Sequence, residues 1–212
     1  MLDPKTLSPS RIELVNGAFF DPMRPEPEAM SLEVIAQALA NSCRFGGQVP
    51  MFYSIAQHSV LVAALSPQDM EAQRCAILHD GDECFGLPDL PTPVKPLFPD
   101  YVAVQKRIGR AIDGRFNISE ADHRRTKPAD RQALMIEKIR LKSRDNSEYW
   151  RTFSGGETVP EWIRIEPLGP EAAHDLILDA MTRVFEDNRP ISRDWIATRP
   201  GFVVEPEPAI GL

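Results

Sequence analysis

Proline placement sets the first limits on this chain. Its twenty prolines gather at 22–27, 88–99 and 160–208. A proline inside a helix removes a backbone donor and clashes with the turn before it, so these clusters mark connections and a trailing end. Between them the apolar residues recur at helical spacing. In SLEVIAQALANSC, Leu32, Ile35, Ala36 and Leu39 repeat at three and four, and Gly46 and Gly47 of RFGG should end that helix. A second helix is expected over 53–65. A third follows Pro67, with Gln68 and Asp69 in its first turn, and continues through His79 to Cys84. YVAVQKRIGRAIDGRF reads as a helix ending around Gly114. Ser119 offers an N-cap with Asp122 three residues on, and PADRQALMIEKIRLK is a further helical stretch with Pro128 near its start. Residues 144–169 read as a loop holding a short extended piece, WIRIEP, and PEAAHDLILDAMTRVFED as an amphipathic helix with Pro170 at its start.

At the N-terminal end, apolar residues flank Asn16-Gly17 in RIELVNGAFFDP, a hairpin signal, and the prolines of DPMRPEPE exclude helix. The expected fold is all-α, a helical bundle with a small N-terminal β-hairpin. It divides into an extended, hairpin-bearing segment over 1–30, a helical domain over 31–188 and an irregular tail over 189–212.

Hydrophobic residues make up 42% and charged residues 26% of the chain, the balance of a soluble globular protein. No apolar run nears the roughly 18 residues of a membrane helix. MLDPKTLSPSRIEL lacks the apolar core of a signal peptide. A cytoplasmic location with no membrane partner is expected. The net charge of −7 argues against a nucleic-acid partner. It leaves room for a small anionic substrate, because a metal ion or a few local cations can reverse the potential inside one pocket. Cys43, Cys75 and Cys84 have no metal-ligand spacing. Cys75 and Cys84 lie in apolar-rich context and should pack as small hydrophobes.

Four histidines carry most of the chemical information. His58 shares a helix face with Ile55 and Val62 and so points inward, where it needs a partner. Alone it reads as a hydrogen-bonded core residue. His79 ends a second apolar helical run and is followed at once by Asp80. Two inward histidines from separate helices plus a carboxylate are what a divalent cation needs. Adjacent His and Asp project about 100° apart on a helix, so both reach an ion that lies beside it. A further acid must come from another helix, and Asp130 is the best candidate, on the face of Leu134 and Glu137. Alone, Asp130 reads as an acid favoured near a helix start. Asp82 should point to solvent. His123 and His174 read as structural or exposed, and the run from His123 to Lys127 as a solvated cationic stretch bordering the site.

His58, then His79-Asp80, then Asp130 resemble the H…HD…D signature of the HD-domain metal-dependent phosphohydrolases. RFGGQ ahead of YSIAQHSVLVA, and DLPTPVK after the HD pair, resemble the YfbR-like group, the HD-type deoxynucleoside 5′-monophosphate nucleotidases. The chain is also similar to dATP triphosphohydrolases of the DatZ type. The resemblance spans roughly 31–142. It implies an HD-domain helical bundle in which His58, His79, Asp80 and Asp130 hold a divalent ion, with manganese, cobalt and magnesium among the candidates. It implies that Glu83, four residues after His79, orients or activates a water, and that Asp89 positions the substrate sugar. Here ECFGLPDLP carries one more residue between Glu83 and Asp89 than the family pattern. Arg44 corresponds to a basic residue near the substrate phosphate, a role that also suits a guanidinium beside glycines. Lys95 is a second candidate phosphate contact. The expected activity is release of phosphate from deoxynucleoside 5′-monophosphates. The rival readings are release of triphosphate from a dNTP and a non-catalytic module that binds a nucleotide or partner. Relatives suggest a homodimer.

Overall fold

The stretch Ile55–Leu65 has no polar face to turn to solvent: every residue from Ile55 to Ala64 is buried, Gln57, His58 and Ser59 included. A helix buried all round belongs in the middle of a bundle. The computed structural model describes residues 11–142 and 147–205. In chain order its helices are α1 (Leu32–Asn41), α2 (Ile55–Leu65), α3 (Met70–Leu78), α4 (Pro99–Phe116), α5 (Glu120–Leu141), α6 (Ser147–Ser154), α7 (Pro170–Met181) and α8 (Arg193–Ile196). Helix α2 packs against α1, α3, α5 and α7. Strand β1 (Ile12–Glu13) pairs antiparallel with β2 (Phe19–Phe20), and β3 (Ile163–Ile165) with β4 (Phe202–Val204). The protein is therefore mainly helical with a small N-terminal β-hairpin. No described helix is long and apolar enough to cross a membrane.

Local chemistry accounts for most of the element starts. Side chains of Ser31, Ser54 and Asp69 accept from the backbone N–H three residues on and open α1, α2 and α3. Ser119 and Asp122 close a capping box at the head of α5. In the hairpin, Gly17 takes φ +79° and Asn16 Oδ1 accepts from the Ala18 N–H at 3.0 Å. Cys75 and Cys84 are buried, as their context led one to expect.

Five stretches differ from the pattern reading. Helix α3 stops at Leu78 instead of running to Cys84, and Asp69 caps it from outside. Asp80 leaves the helical region at φ −105°, ψ 15°, and Gly81–Cys84 forms a separate 3₁₀ turn. A Cβ at Gly81 would meet Ile112 of α4 at 3.2 Å, so the glycine allows the turn to lie close under that helix. Helix α4 passes through Gly114 and ends at Phe116, where Asn117 adopts the left-handed conformation. Pro128 lies inside one continuous α5, not near the start of a new helix. Its missing N–H leaves the Arg124 carbonyl one helical bond short, while buried Thr126, Ala129, Ala133 and Ile136 keep the helix seated on α2 and α3. Part of the expected loop 144–169 forms α6; the extended piece in it is β3. A 3₁₀ turn, Pro27–Ala29, occupies the proline-rich stretch where helix was excluded.

The sixth departure is the C-terminal segment. Residues 189–205, expected as irregular, carry α8 and β4 and bury Ile191, Ile196 and Phe202; 206–212 lie outside the described residues. Two buried glutamines tie the segment down. Gln73 Oε1 accepts from the Ile191 N–H at 2.9 Å. Gln57 Nε2 donates to the carbonyls of Glu166 and Gly201, both at 2.9 Å. Leu14 and Phe20 of the hairpin region and Trp195 of α8 join one hydrophobic cluster with the helices.

Away from the bundle centre, His123 Nε2 lies 2.9 Å from Asp113 Oδ1 and Nδ1 lies 3.5 Å from the buried Cys75 Sγ. The bond to Asp113, and then that to Cys75, hold the His123 imidazolium up to about 10. An imidazole in the unfolded chain titrates near about 6.5. The pair therefore contributes its full stability below that value and loses it as pH rises through the folded one. His123→Gln should cost more stability near about pH 6 than near about pH 10.5, by no more than about 1 kcal/mol for so exposed a pair. Urea unfolding at the two pH values checks this, and equal costs would remove the pair from the stability account.

Candidate functional site

Helix α2 delivers His58 into the centre of the bundle, where its side chain has no exposure. A buried imidazole needs partners at both nitrogens. Nδ1 lies 2.6 Å from Oε1 of Glu137 on α5. Glu137 is itself fully buried, and its second oxygen accepts from Arg44 Nε at 3.2 Å. Burial pushes the Glu137 carboxyl up, but Arg44 and His58 outweigh it and hold the group ionised, below its usual range. An ionised carboxylate only accepts, so His58 Nδ1 carries the hydrogen. His79, at the C-terminal end of α3, is fixed in the same way: its Nδ1 donates to the Ala76 carbonyl at 2.8 Å.

With both Nδ1 atoms committed, the two Nε2 lone pairs are left, and they converge at 3.1 Å. Asp130 Oδ1, from the middle of α5, lies 3.4 Å from His58 Nε2 and 3.9 Å from His79 Nε2. Asp80 Oδ2, one residue beyond His79, lies 3.6 and 3.4 Å from the same atoms. Two carboxylate oxygens thus each approach both imidazole nitrogens, a gathering of acceptors that a positive charge stabilises.

A divalent cation fits this donor set. Ligand atoms about 2.1 Å from one ion stand about 3.0 Å apart at right angles and about 3.4 Å apart at tetrahedral angles, the range found for most of these pairs. The ligand atoms of His58, His79 and Asp130 all lie within 4.8 Å of one another and could hold a metal ion. Asp80 is the looser member, since Oδ2 also accepts from Arg44 Nη1 at 3.2 Å. Burial and Arg44 both push His58 down, yet Glu137 and the bond to Asp130 bring it up to about 9. Burial would raise Asp130, but its contacts with His58 and His79 and the nearby Lys127 hold it well below the carboxylate range. Burial pushes His79 below its usual value. Glu137 and the Ala76 carbonyl, each bonded to an Nδ1, orient the imidazoles as partners of metal-bound histidines commonly do.

A cavity of about 580 Å³ opens over this cluster. Arg44, Asp80, Glu83, Asp89, Lys95 and Asp130 all line it, so the expected site residues other than the two histidines share one chamber. Glu83 comes from the 3₁₀ turn and not from an extension of α3. Its Oε1 accepts from Lys95 Nζ at 3.4 Å and Gln105 Nε2 at 3.3 Å. Its Oε2 is buried with no partner among the described residues. Burial, then Asp80 and Asp89, push the Glu83 carboxyl up to about 9. Asp89 Oδ2 accepts from the Gly46 N–H at 3.4 Å, which ties the DLPTP turn to RFGG despite the extra residue. Asp82 does not point to solvent as expected: it packs beside Gly109 of α4, and burial lifts it to about 7.

Sequence reasoning missed several residues around the site. Glu137 was visible at one face with Asp130, but nothing in the spacing gave it a task. Lys127, at the end of the cationic run expected to border the site, bonds Asp130 Oδ2 at 2.6 Å and lines the cavity, together with Arg131 and Lys142, which were not singled out. Tyr149, Trp150 and Phe153 of α6 form another wall; their spacing of one and four was readable once the stretch was taken as helix.

Fold and site together define a mainly helical protein with a two-histidine, two-carboxylate cluster, anchored on the buried His58, beneath a cavity. No protein-family model matches the chain. It is 31% identical over 163 residues to an uncharacterized protein of Rhodobacter capsulatus, across 71% of this chain and 82% of that one. The chain belongs to the same family as that protein. It is also 29% identical over 177 residues to the uncharacterized protein YfdR of Escherichia coli (strain K12), across 84% of this chain and 97% of YfdR.

Removing Glu137 tests how the site is built. Glu137→Ala strands His58 and Arg44 in the core and should cost about 3–5 kcal/mol in urea unfolding. Glu137→Gln keeps the shape but cannot compensate two cationic partners. It should weaken manganese binding by calorimetry about 10- to 100-fold. Unchanged affinity would show that Glu137 does not orient His58.

Proposed function

We propose that this chain is an HD-type metal-dependent phosphohydrolase acting on deoxynucleotides, and that its first substrates are deoxynucleoside 5′-monophosphates. The observation that carries the reading is the pair of Nε2 atoms 3.1 Å apart, flanked by Asp80 and Asp130. The order His58, His79-Asp80, Asp130 along the chain, at the sequence positions of the HD signature, supports it. So does the gathering of Arg44, Glu83, Asp89 and Lys95 around the same cavity.

His58, His79 and Asp130 would hold the ion, with Asp80 as fourth ligand. A bound divalent cation polarises a phosphate oxygen and lowers the pKa of a coordinated water. The chain's own residues do the rest. Burial, then Asp80 and Asp89, push the Glu83 carboxyl up, and positive charge nearby would favour release of its proton. Its carboxylate, on the lining of the cavity, would position a water and take a proton from it. Lys95, bonded to Oε1, keeps that carboxyl from rotating away and places positive charge beside the incoming phosphate. Arg44 stabilises charge on the equatorial phosphate oxygens from a position fixed by Glu137. Asp89, anchored on the Gly46 N–H, stands where a sugar hydroxyl can donate to it.

One observation favours the triphosphate reading as well. Lys127, Arg131 and Lys142 add cations to the cavity lining beyond Arg44 and Lys95, a capacity that suits a longer phosphate chain. Product identity separates the two. Metal-stripped protein resupplied with manganese or cobalt should release phosphate from deoxynucleoside monophosphates. Triphosphate release from one dNTP would establish the second reading, and no turnover with any metal would return the chain to a binding module. Asp80→Ala should abolish turnover while circular dichroism stays that of the wild type; retained activity would refute the ligand assignment.

A further inference from the structure

Helix α6 carries a feature that phosphate chemistry alone does not need. Tyr149, Trp150 and Phe153 pack edge to face, with ring centroids 5.6 Å apart for Tyr149–Trp150 and 5.2 Å for Tyr149–Phe153. Phe45, beside Arg44, meets Trp150 from the other side at 6.2 Å and 83°. All four rings line the chamber that Asp80 and Asp130 also line. Tyr149 is 53% exposed, which is not the position of a ring serving as core filler. The Trp150 indole N–H is buried and has no partner among the described residues. Indole donates and cannot accept, and buried indole N–H groups usually find an acceptor.

The chamber lining therefore combines cations and carboxylates with aromatic rings, Lys142 Nζ lying 4.5 Å from the centre of the Phe45 ring. A ligand that meets both carries a phosphate and a planar ring. We infer that α6 is a base-binding wall, on which Tyr149 and Trp150 stack the nucleobase. This rests on the reading of the cavity as a phosphate-ester site. It goes further in making the ring, and not only the phosphate, a condition of recognition. Because every base has a π-face, stacking of this kind tolerates a change of base while rejecting ligands that have none.

The test compares 2′-deoxyadenosine 5′-monophosphate and thymidine 5′-monophosphate with 2-deoxyribose 5-phosphate, which lacks the base. Binding is read by calorimetry on the manganese-loaded full chain carrying Glu83→Gln, in which the mechanism above blocks turnover. Both nucleotides should bind about tenfold or more tighter than the sugar phosphate. Added Tyr149→Ala or Trp150→Ala should each remove most of that advantage and leave sugar phosphate affinity unchanged. Trp150→Phe, which keeps a ring in a fold-neutral way, should retain most of the stacking. Equal affinity for all three ligands, equal loss for all three in the alanine variants, or no binding of any of them overturns the wall. Phosphate release by the chain with native Glu83 is read separately. A base-dependent binding pattern without release in any metal overturns hydrolysis and leaves the wall standing. Release from the sugar phosphate as fast as from the nucleotides does the reverse.

Discussion

One buried carboxylate governs the geometry of this molecule. Glu137 sits at the centre of the bundle and accepts from His58 on α2 and Arg44 in the turn ahead of α2. Removing an ion of that size from water costs several kcal/mol, and the cost is recovered only where every lone pair finds a well-placed partner. Here the partners are a guanidinium and an imidazole, and each is thereby fixed. His58 can turn only its Nε2 to the cavity. Arg44 reaches Asp80 with the nitrogen that Glu137 does not use. A contact that stabilises the fold also sets the tautomer of His58 and the position of Arg44, two groups that face the cluster and its cavity.

The second constraint is the break in the chain after His79. Had α3 continued, Glu83 would have followed His79 one turn on, with Asp80 projecting about 100° away from His79. Instead Asp80 leaves the helical region and Gly81 lets the 3₁₀ turn lie against α4. The break brings Asp80 Oδ2 to 3.4 Å from its own neighbour's Nε2. It also drops Glu83 into a pocket shared with Lys95 and Gln105. The acids that give the chain its net negative charge are locally outnumbered or paired here, so an anionic ligand meets Arg44, Lys95, Lys127, Arg131 and Lys142 on the way in.

These two constraints also decide what was legible in the sequence. Helices α1, α2 and α7 and the Asn16-Gly17 hairpin follow from periodicity and turn chemistry, which are local. The co-location of His58, His79, Asp80 and Asp130 was readable because each lies at an inward position of a helix or helix end. The continuity of α5 through Pro128 was not. The proline costs about 3 kcal/mol in a helix interior, and what offsets it is packing on α2 and α3, which no local window contains. The C-terminal segment was unreadable for the same reason, since its order comes from Gln57 and Gln73, more than a hundred residues upstream. Glu137 shows the limit most clearly: its face was evident, but its partners lie on two other segments.

Helix α5 links the two halves of the chamber. Asp130 and Glu137 stand two turns apart on it, one beside Nε2 of His58 and the other bonded to Nδ1 of the same ring, with Leu134 between them on the cavity wall. A spacing of seven residues keeps both on one stripe, so a rotation of α5 that improved one contact would damage the other. Helix α6 is bound by no such condition. It packs on α5 from outside the ligand cluster, its rings touch the chamber and not the histidines, and Gly155 at its end leaves room for the Arg131 guanidinium. A change confined to α6 therefore leaves intact the contacts that α2, α3 and α5 make among His58, His79, Asp130 and Glu137.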